Sequence, residues 1–384
     1  MWDTITRGIC VENLQRNLDL LGFHISPSET SHNLREMAKF GLLSLDGEYS
    51  SCIYDQSNQL EAYSNYCAEK DIIFSALVEL TNKCNLHCYH CYHDEQISFL
   101  DFNRFKQTLK ELDEIGTILI TYTGGEIFTI NNWHEILSYT KSSGFLVGLI
   151  SNLTLLNDND VDAICDINPY VISTSLYGST SSTHDKITNT EGSFSSTLRN
   201  IERLKNRHIN VKINYVVTKY NYNDALNTQK LANQLDCDIS FDYKLFPTRT
   251  GNEDILSSTI SRIMFKELHS NGLIGPVSEI MCLAAKNKIR INQRGEVYPC
   301  EYINIKCGNI YEESVSEVLC SDIFRQVRHR ISSFLPDDCV MCSEKANCLR
   351  CPALPWLTTP FSNEKHQLMC HYAKFDKSYE GGKS

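Results

Sequence analysis

No stretch of this sequence is long and apolar enough to cross a bilayer; its longest apolar run, GFLVGLI, falls far short of the ~20 residues a spanning helix needs. Positive charge is also in short supply. Lys and Arg number 36 against 47 Asp and Glu, a net charge of -11, and a nucleic-acid partner is not expected because binding a phosphate backbone needs a basic face. The opening residues, MWDTITRGIC, lack the basic start and apolar core of a secretory signal, so a cytoplasmic location is expected. Low-complexity tracts and solenoid periods are missing too. What remains is a chain of 384 residues, 42% hydrophobic and 22% charged, in the ordinary globular range and long enough for one large domain with smaller ones attached.

Against these absences stand seventeen cysteines. A chain of this length does not need disulfide staples, and in a reducing compartment metal ligation is the better explanation. Ten of the cysteines fall into three spaced clusters. Cys10, Cys52, Cys67, Cys165, Cys237, Cys307 and Cys320 are scattered and read as buried small side chains.

Between Ile72 and Phe246 the sequence repeats one syntax, a short apolar strand, a loop and an amphipathic helix. The strands are IIFSALVEL, TILITYT, FLVGLIS, YVISTSL, NVKINYVV and DISFDYKLF; the helices are FNRFKQTLKELDEI, NWHEILSYTKSS, NDNDVDAICDI, FSSTLRNIERLKNRH and YNDALNTQKLANQLD. Such alternation builds a parallel sheet, and six strands are too few to close an eight-stranded barrel. An α/β fold with an open, partial (β/α)6 TIM-like barrel follows, with chemistry at the C-terminal ends of the strands. Before it, residues 1–70 read as a small winged-helix-like module; residues 71–279 are the barrel; residues 280–375 form a cysteine-rich region that metal would hold together; residues 376–384 are a tail. The segment FDYKLFPTRTGN, with Tyr243 and Arg249, reads as a structural loop in preference to a channel lining.

The first cluster, CNLHCYHC, follows the first strand and places Cys84, Cys88 and Cys91 at C-x3-C-x2-C spacing. Thiolates favour zinc or iron-sulfur clusters. A structural zinc site would take a fourth ligand from His87, His90 or His93, whereas a cubane on three cysteines leaves one iron open. The run resembles the cluster loop of the radical S-adenosylmethionine (radical SAM) superfamily, with His90 at the aromatic position. The resemblance implies a 4Fe-4S cluster on Cys84, Cys88 and Cys91 whose open iron chelates S-adenosylmethionine, with His90 beside the adenine. TGGEI resembles the family's motif for the cofactor's ammonium, on Gly124, Gly125 and Glu126, with Ile127 in place of the usual proline. Ser151 and Asn152 match a third-strand motif in which Leu153 replaces glycine, and Ser175 matches a ribose-contacting serine. An arginine that holds the cofactor carboxylate in some members is Thr188 here, so that contact must come from elsewhere.

Cys282, Gly295 and Cys300, then Cys339, Cys342, Cys348, Cys351 and Cys370, resemble the seven-cysteine SPASM extension, with one residue fewer between Cys348 and Cys351 than that pattern has. The resemblance implies two auxiliary 4Fe-4S clusters, one on Cys282, Cys300 and Cys351 and one on Cys339, Cys342, Cys348 and Cys370; the remaining iron of the former is either open to substrate or filled by a stray residue such as Cys307. Enzymes with this extension mostly modify ribosomally made peptides. The expectation is therefore a peptide maturase that uses three clusters and S-adenosylmethionine, installs a carbon-carbon or thioether crosslink, and draws electrons from a reductase or flavodoxin-type donor. The alternatives are a sulfatase-maturating oxidase forming formylglycine, with Glu301 as base, a peptide epimerase, or an iron-sulfur sensor.

Overall fold

The computed structural model describes residues 56–91, 97–275, 282–345, 348 and 350–376. The chain divides into two units at Ile72 and Ile73. Of the first, helix α1 (Gln56–Glu69) is described, and the rest of the expected winged-helix-like module lies outside the described residues.

The second unit opens with β1 (Ser75–Thr81), α2 (Phe102–Glu114), β2 (Leu119–Gly124), α3 (Trp133–Ser142), β3 (Leu146–Ser151), α4 (Asp158–Ile167) and β4 (Val171–Ser175). It continues with α5 (Ser181–Thr188), α6 (Ser193–Lys205), β5 (Val211–Val216), α7 (Ala225–Gln234), β6 (Asp238–Asp242) and α8 (Arg262–Ser270). All six expected strands are present, and each pairs in parallel with the next from β1 to β6. In α2, Asp101 caps the Arg104 N–H, and Phe102, Phe105, Leu109 and Leu112 recur at helical spacing on the buried face. In β4, Ile172 and Thr174 are buried while Val171, Ser173 and Ser175 are half-buried. Since side chains alternate along a strand, one face of β4 is packed into the core and the other is half-buried. Helix α5 is an addition to the expected pattern, because SSTHDKIT has too few apolar residues to announce a helix.

Beyond α8 lie β7 (Lys288–Ile291), β8 (Glu296–Tyr298), β9 (Gly308–Asn309), α9 (Val315–Cys320), α10 (Asp322–Ser333), α11 (Ala353–Thr358) and α12 (Gln367–Asp376). Strand β7 pairs in parallel with β1, Ser75 opposite Lys288 and Val78 opposite Ile291, and β8 and β9 extend the sheet antiparallel. The cysteine-rich region thus shares a sheet with the barrel, since the free edge of β1 needs a hydrogen-bonding partner. One apolar core runs from Val78 and Leu109 to Val297, Phe324 and Val327.

A buried ion cluster seals this junction. Glu79 Oε1 accepts from Arg249 Nη2 at 2.5 Å and from Arg290 Nη1 at 3.2 Å, and the Arg290 guanidinium lies 4.0 Å from the centre of the Tyr298 ring. Arg249 also donates through Nε to the Glu301 carbonyl at 3.3 Å, and its own carbonyl accepts from Asn304. Arg249 and Tyr243 are both buried, in keeping with a structural loop.

Candidate active site

The loop after β1 carries the first thiols, and its path is set by two glycines. Gly124 has φ +143°, and a Cβ there would stand 2.0 Å from the Thr81 carbonyl oxygen; a Cβ on Gly125 would stand 2.4 Å from that of Lys83. The N–H of Gly125 donates to the Thr81 carbonyl and that of Glu126 to the Lys83 carbonyl, at 2.7 and 2.8 Å. The close approach that glycine permits is thus to the cysteine loop itself.

Glu126 is fully buried. Its Oε1 accepts from Ser151 Oγ at 2.8 Å and the Phe128 N–H at 3.1 Å, and its Oε2 from the Asn152 N–H at 2.7 Å. Burial raises its pKa, against those hydrogen bonds. In this structure the Glu126 and Ser151 side chains clamp the end of β2 to the end of β3. Asn152 extends the clamp, donating to Asn85 Oδ1 at 3.0 Å and lying 3.9 Å from Cys84 Sγ. Leu153 has φ +61°, the left-handed conformation that suits the glycine it replaces, and it is held there by full burial and by Asn200 donating to its carbonyl at 2.7 Å.

Cys84, Cys88 and Cys91 lie near enough to feel one another's charge, although among the described residues no three His, Cys, Asp or Glu side chains converge closely enough to hold a single metal ion. Burial, followed by the charges of its two partners, pushes the Cys88 thiol up to about 12, and Cys84 is raised by burial first and by Glu126 and Cys91 as well. A bound cation reverses both effects, because a coordinating thiol is deprotonated outright. Soft sulfur donors in a group of three suit an iron-sulfur cluster. His90 meets the Tyr177 ring edge-on, with centroids 4.7 Å apart, and its Nδ1 is buried with no hydrogen-bond partner, which a bound polar ligand would relieve. Burial pulls its pKa down to about 4, so the ring is neutral. His87 is exposed, and His93 lies outside the described residues. Thr188, where an arginine was sought, is buried, and its carbonyl accepts the His87 N–H. Ser175 ends β4 on its half-buried face, opposite Asn214 of β5.

The remaining ligand candidates separate into two groups. The Cys300 thiol is pushed up to about 11 by burial and then Glu301; Cys351 is pushed to about 12 by burial, with Cys300 and Cys282 adding to it. Cys339 is raised by burial and then by Cys370 and Cys342, and Cys348 by burial and then by Cys370 and Cys339. Cys307 belongs to neither: it is buried, its thiol faces the Ile305 carbonyl at 3.4 Å, and burial alone raises it to about 12. Gly295 has φ +77° in the β7–β8 turn, the conformation glycine takes most readily, and a Cβ there would stand 2.7 Å from the Tyr311 ring. Glu301, next to Cys300, pairs with Lys288 at 3.4 Å. Burial opposes the charge on Lys288, but Glu301 and Cys300 outweigh it and hold the ammonium protonated.

An iron-sulfur enzyme that works at the rim of a partial barrel is the class these features define. Comparison with known proteins narrows it. The Radical SAM superfamily model matches residues 78–232, and that of the SPASM iron-sulfur cluster-binding domain matches residues 282–352. The AdoMet-dependent heme synthase of Methanosarcina barkeri is 28% identical over 321 residues, 73% of this chain and 91% of the relative. The antilisterial bacteriocin subtilosin biosynthesis protein AlbA of Bacillus subtilis is 25% identical, covering 78% of this chain and 71% of AlbA. Streptococcus suis SuiB bound to its precursor peptide SuiA shares the fold, with a TM-score of 0.61 at 14% identity over 88% of this chain and 83% of that one. The chain belongs to the radical SAM superfamily, carries a SPASM domain, and is an enzyme. Among the described residues no helix is long and apolar enough to cross a membrane.

Proposed function

We propose that this enzyme is a peptide maturase that removes a hydrogen atom from a ribosomally made precursor and installs a crosslink, carbon-carbon or thioether. The observation that carries this reading is the thiol trio on the loop after β1, joined in one chain to a cysteine-rich region whose strands extend the same sheet, in a chain related along most of its length to a bacteriocin biosynthesis protein. In this reading Cys84, Cys88 and Cys91 hold the first 4Fe-4S cluster, Cys282, Cys300 and Cys351 a second, and Cys339, Cys342, Cys348 and Cys370 a third. When bound, the first cluster and S-adenosylmethionine supply a 5'-deoxyadenosyl radical. The backbone at Gly124 and Gly125 faces the cofactor's ammonium, His90 offers its free Nδ1 beside the adenine, and Ser175 meets the ribose. Glu126, Ser151 and Asn152 fix the loop that bears Cys84. Glu301 and Lys288 stand where substrate charge or a proton released beside the second group would be met. Residues 1–70 bind the leader peptide, a flavodoxin-type protein supplies the electron, and the enzyme works in the cytoplasm.

The test is to search beside the gene for a short reading frame and to incubate the anaerobically reconstituted chain with S-adenosylmethionine, a reductant and the peptide it encodes. Formation of 5'-deoxyadenosine with loss of hydrogen from the peptide supports the proposal; 5'-deoxyadenosine with an unaltered peptide contradicts it. Identity to the Methanosarcina barkeri enzyme favours a second reading, a heme synthase activity, which requires a porphyrin-dependent product in the same assay.

A further inference from the structure

The cysteine loop meets the surface at a place with its own chemistry. The N–H groups of His87 and Tyr89 donate to the carbonyls of Thr188 and Ile187 at 3.1 and 3.4 Å, which lays the loop on the last turn of α5. Tyr89, the residue after Cys88, donates its hydroxyl to Thr218 Oγ1 at 2.7 Å, and its ring meets that of Tyr220 edge-on with centroids 5.4 Å apart. These touching rings are 36% and 48% exposed. Two ammonium groups stand over Tyr220, Lys219 Nζ at 5.0 Å and Lys186 Nζ at 5.8 Å from its centroid. Neither lysine has a carboxylate partner among the described residues. The nearest acid in sequence, Asp185, is engaged by the N–H groups of Gly192 and Phe194 and by the Ser193 hydroxyl.

On a chain of net charge -11, an acidic protein is repelled except where positive charge is concentrated. Exposed aromatic rings give such a spot apolar contact area, and a small patch with charged edges suits a transient redox encounter. We propose that Tyr89, Lys186, Lys219 and Tyr220 form the docking surface for a small acidic electron carrier of the flavodoxin type. The inference rests on the reading of Cys84, Cys88 and Cys91 as ligands of the cofactor-cleaving cluster, from which Tyr89 is one residue removed. In each encounter the reduced carrier loses one electron and that cluster gains it, with no bond made or broken.

The test compares two reductants on the full, reconstituted chain. Initial rates of 5'-deoxyadenosine formation are measured with dithionite and with enzymatically reduced flavodoxin, for wild type, K186E/K219E and the milder K186Q/K219Q. With flavodoxin at low ionic strength, K186E/K219E is expected to be about tenfold slower or worse and K186Q/K219Q intermediate, and added salt slows the wild type towards them. With dithionite all three run alike. Equal flavodoxin-driven rates, or a loss of rate under both reductants, overturn the docking surface. Absence of 5'-deoxyadenosine from the wild type under either reductant removes the cluster reading itself, and the docking surface with it.

Discussion

At the end of β1, Cys84, Cys88 and Cys91 sit on a loop bonded through its backbone to β2 and to the last turn of α5, with a buried carboxylate beneath it. By contrast, Cys339 ends a single 3-10 turn, Cys342 and Cys348 follow it in a stretch where Met341 is 93% exposed, and Cys370 lies on α12, near enough for its charge to reach Cys339 and Cys348. The barrel builds its thiol site from hydrogen bonds that exist without metal, whereas in the C-terminal group the ligand bonds must do much of the holding. Cys282, Cys300 and Cys351 fall between these extremes, since Cys300 directly follows the β7–β8 hairpin and is buried in the main core.

Iron removal should separate the two regions most sharply. In hydrogen-exchange mass spectrometry of the chelator-treated chain, residues 337–376 are expected to lose most of their amide protection while β1 to β4 keep theirs. Equal opening of both would erase the contrast. Next in size is Glu79→Gln, which removes the buried carboxylate that Arg249 and Arg290 share where the regions join. A loss of about 3–5 kcal/mol in anaerobic urea unfolding is expected, and a loss under 1 kcal/mol would mean that the junction does not depend on this cluster. Glu126→Ala strips three donors of their acceptor and should cost about 3 kcal/mol. Iron analysis should then find the barrel-side iron depleted and the C-terminal iron retained; the reverse pattern would refute the clamp.

The smallest effect concerns pH and the barrel alone. His184 accepts the Tyr177 N–H through Nδ1 at 3.1 Å and is buried, which pulls its pKa from 6.5 to about 4. A histidine that binds protons less readily when folded adds stability that is complete above pH 6.5 and is lost as the pH falls towards 4. Roughly 2 kcal/mol should disappear across that window in the wild type and much less in His184→Gln, as followed by the urea midpoint. Parallel profiles would assign the acid sensitivity to other groups.

How much of this was legible in the sequence depends on how local each signal is. The six strands and five of the helices follow from apolar periodicity, and the thiol groups follow the family spacing because ligands on one loop are close in the chain. Helix α5 escaped because its buried side, His184, Ile187 and Thr188, is two-thirds polar. The inward turn of Glu126 was hidden for a different reason: a Gly-Gly-Glu turn does not disclose which way its carboxylate points. The Glu79 cluster was out of reach, since Arg249 and Arg290 lie 170 and 211 residues away along the chain. Leu153 is the clearest case of partial reading, for its departure from glycine was visible but the left-handed backbone that gives the departure meaning was not.

The account turns on the trio at the end of β1, and one measurement addresses it directly. Wild type and a Cys84→Ala, Cys88→Ala, Cys91→Ala variant, both reconstituted anaerobically, are reduced with dithionite in the presence of S-adenosylmethionine, and 5'-deoxyadenosine is quantified alongside iron. The prediction is that the variant keeps the iron of its C-terminal groups yet forms no 5'-deoxyadenosine; formation at the wild-type rate would contradict the account.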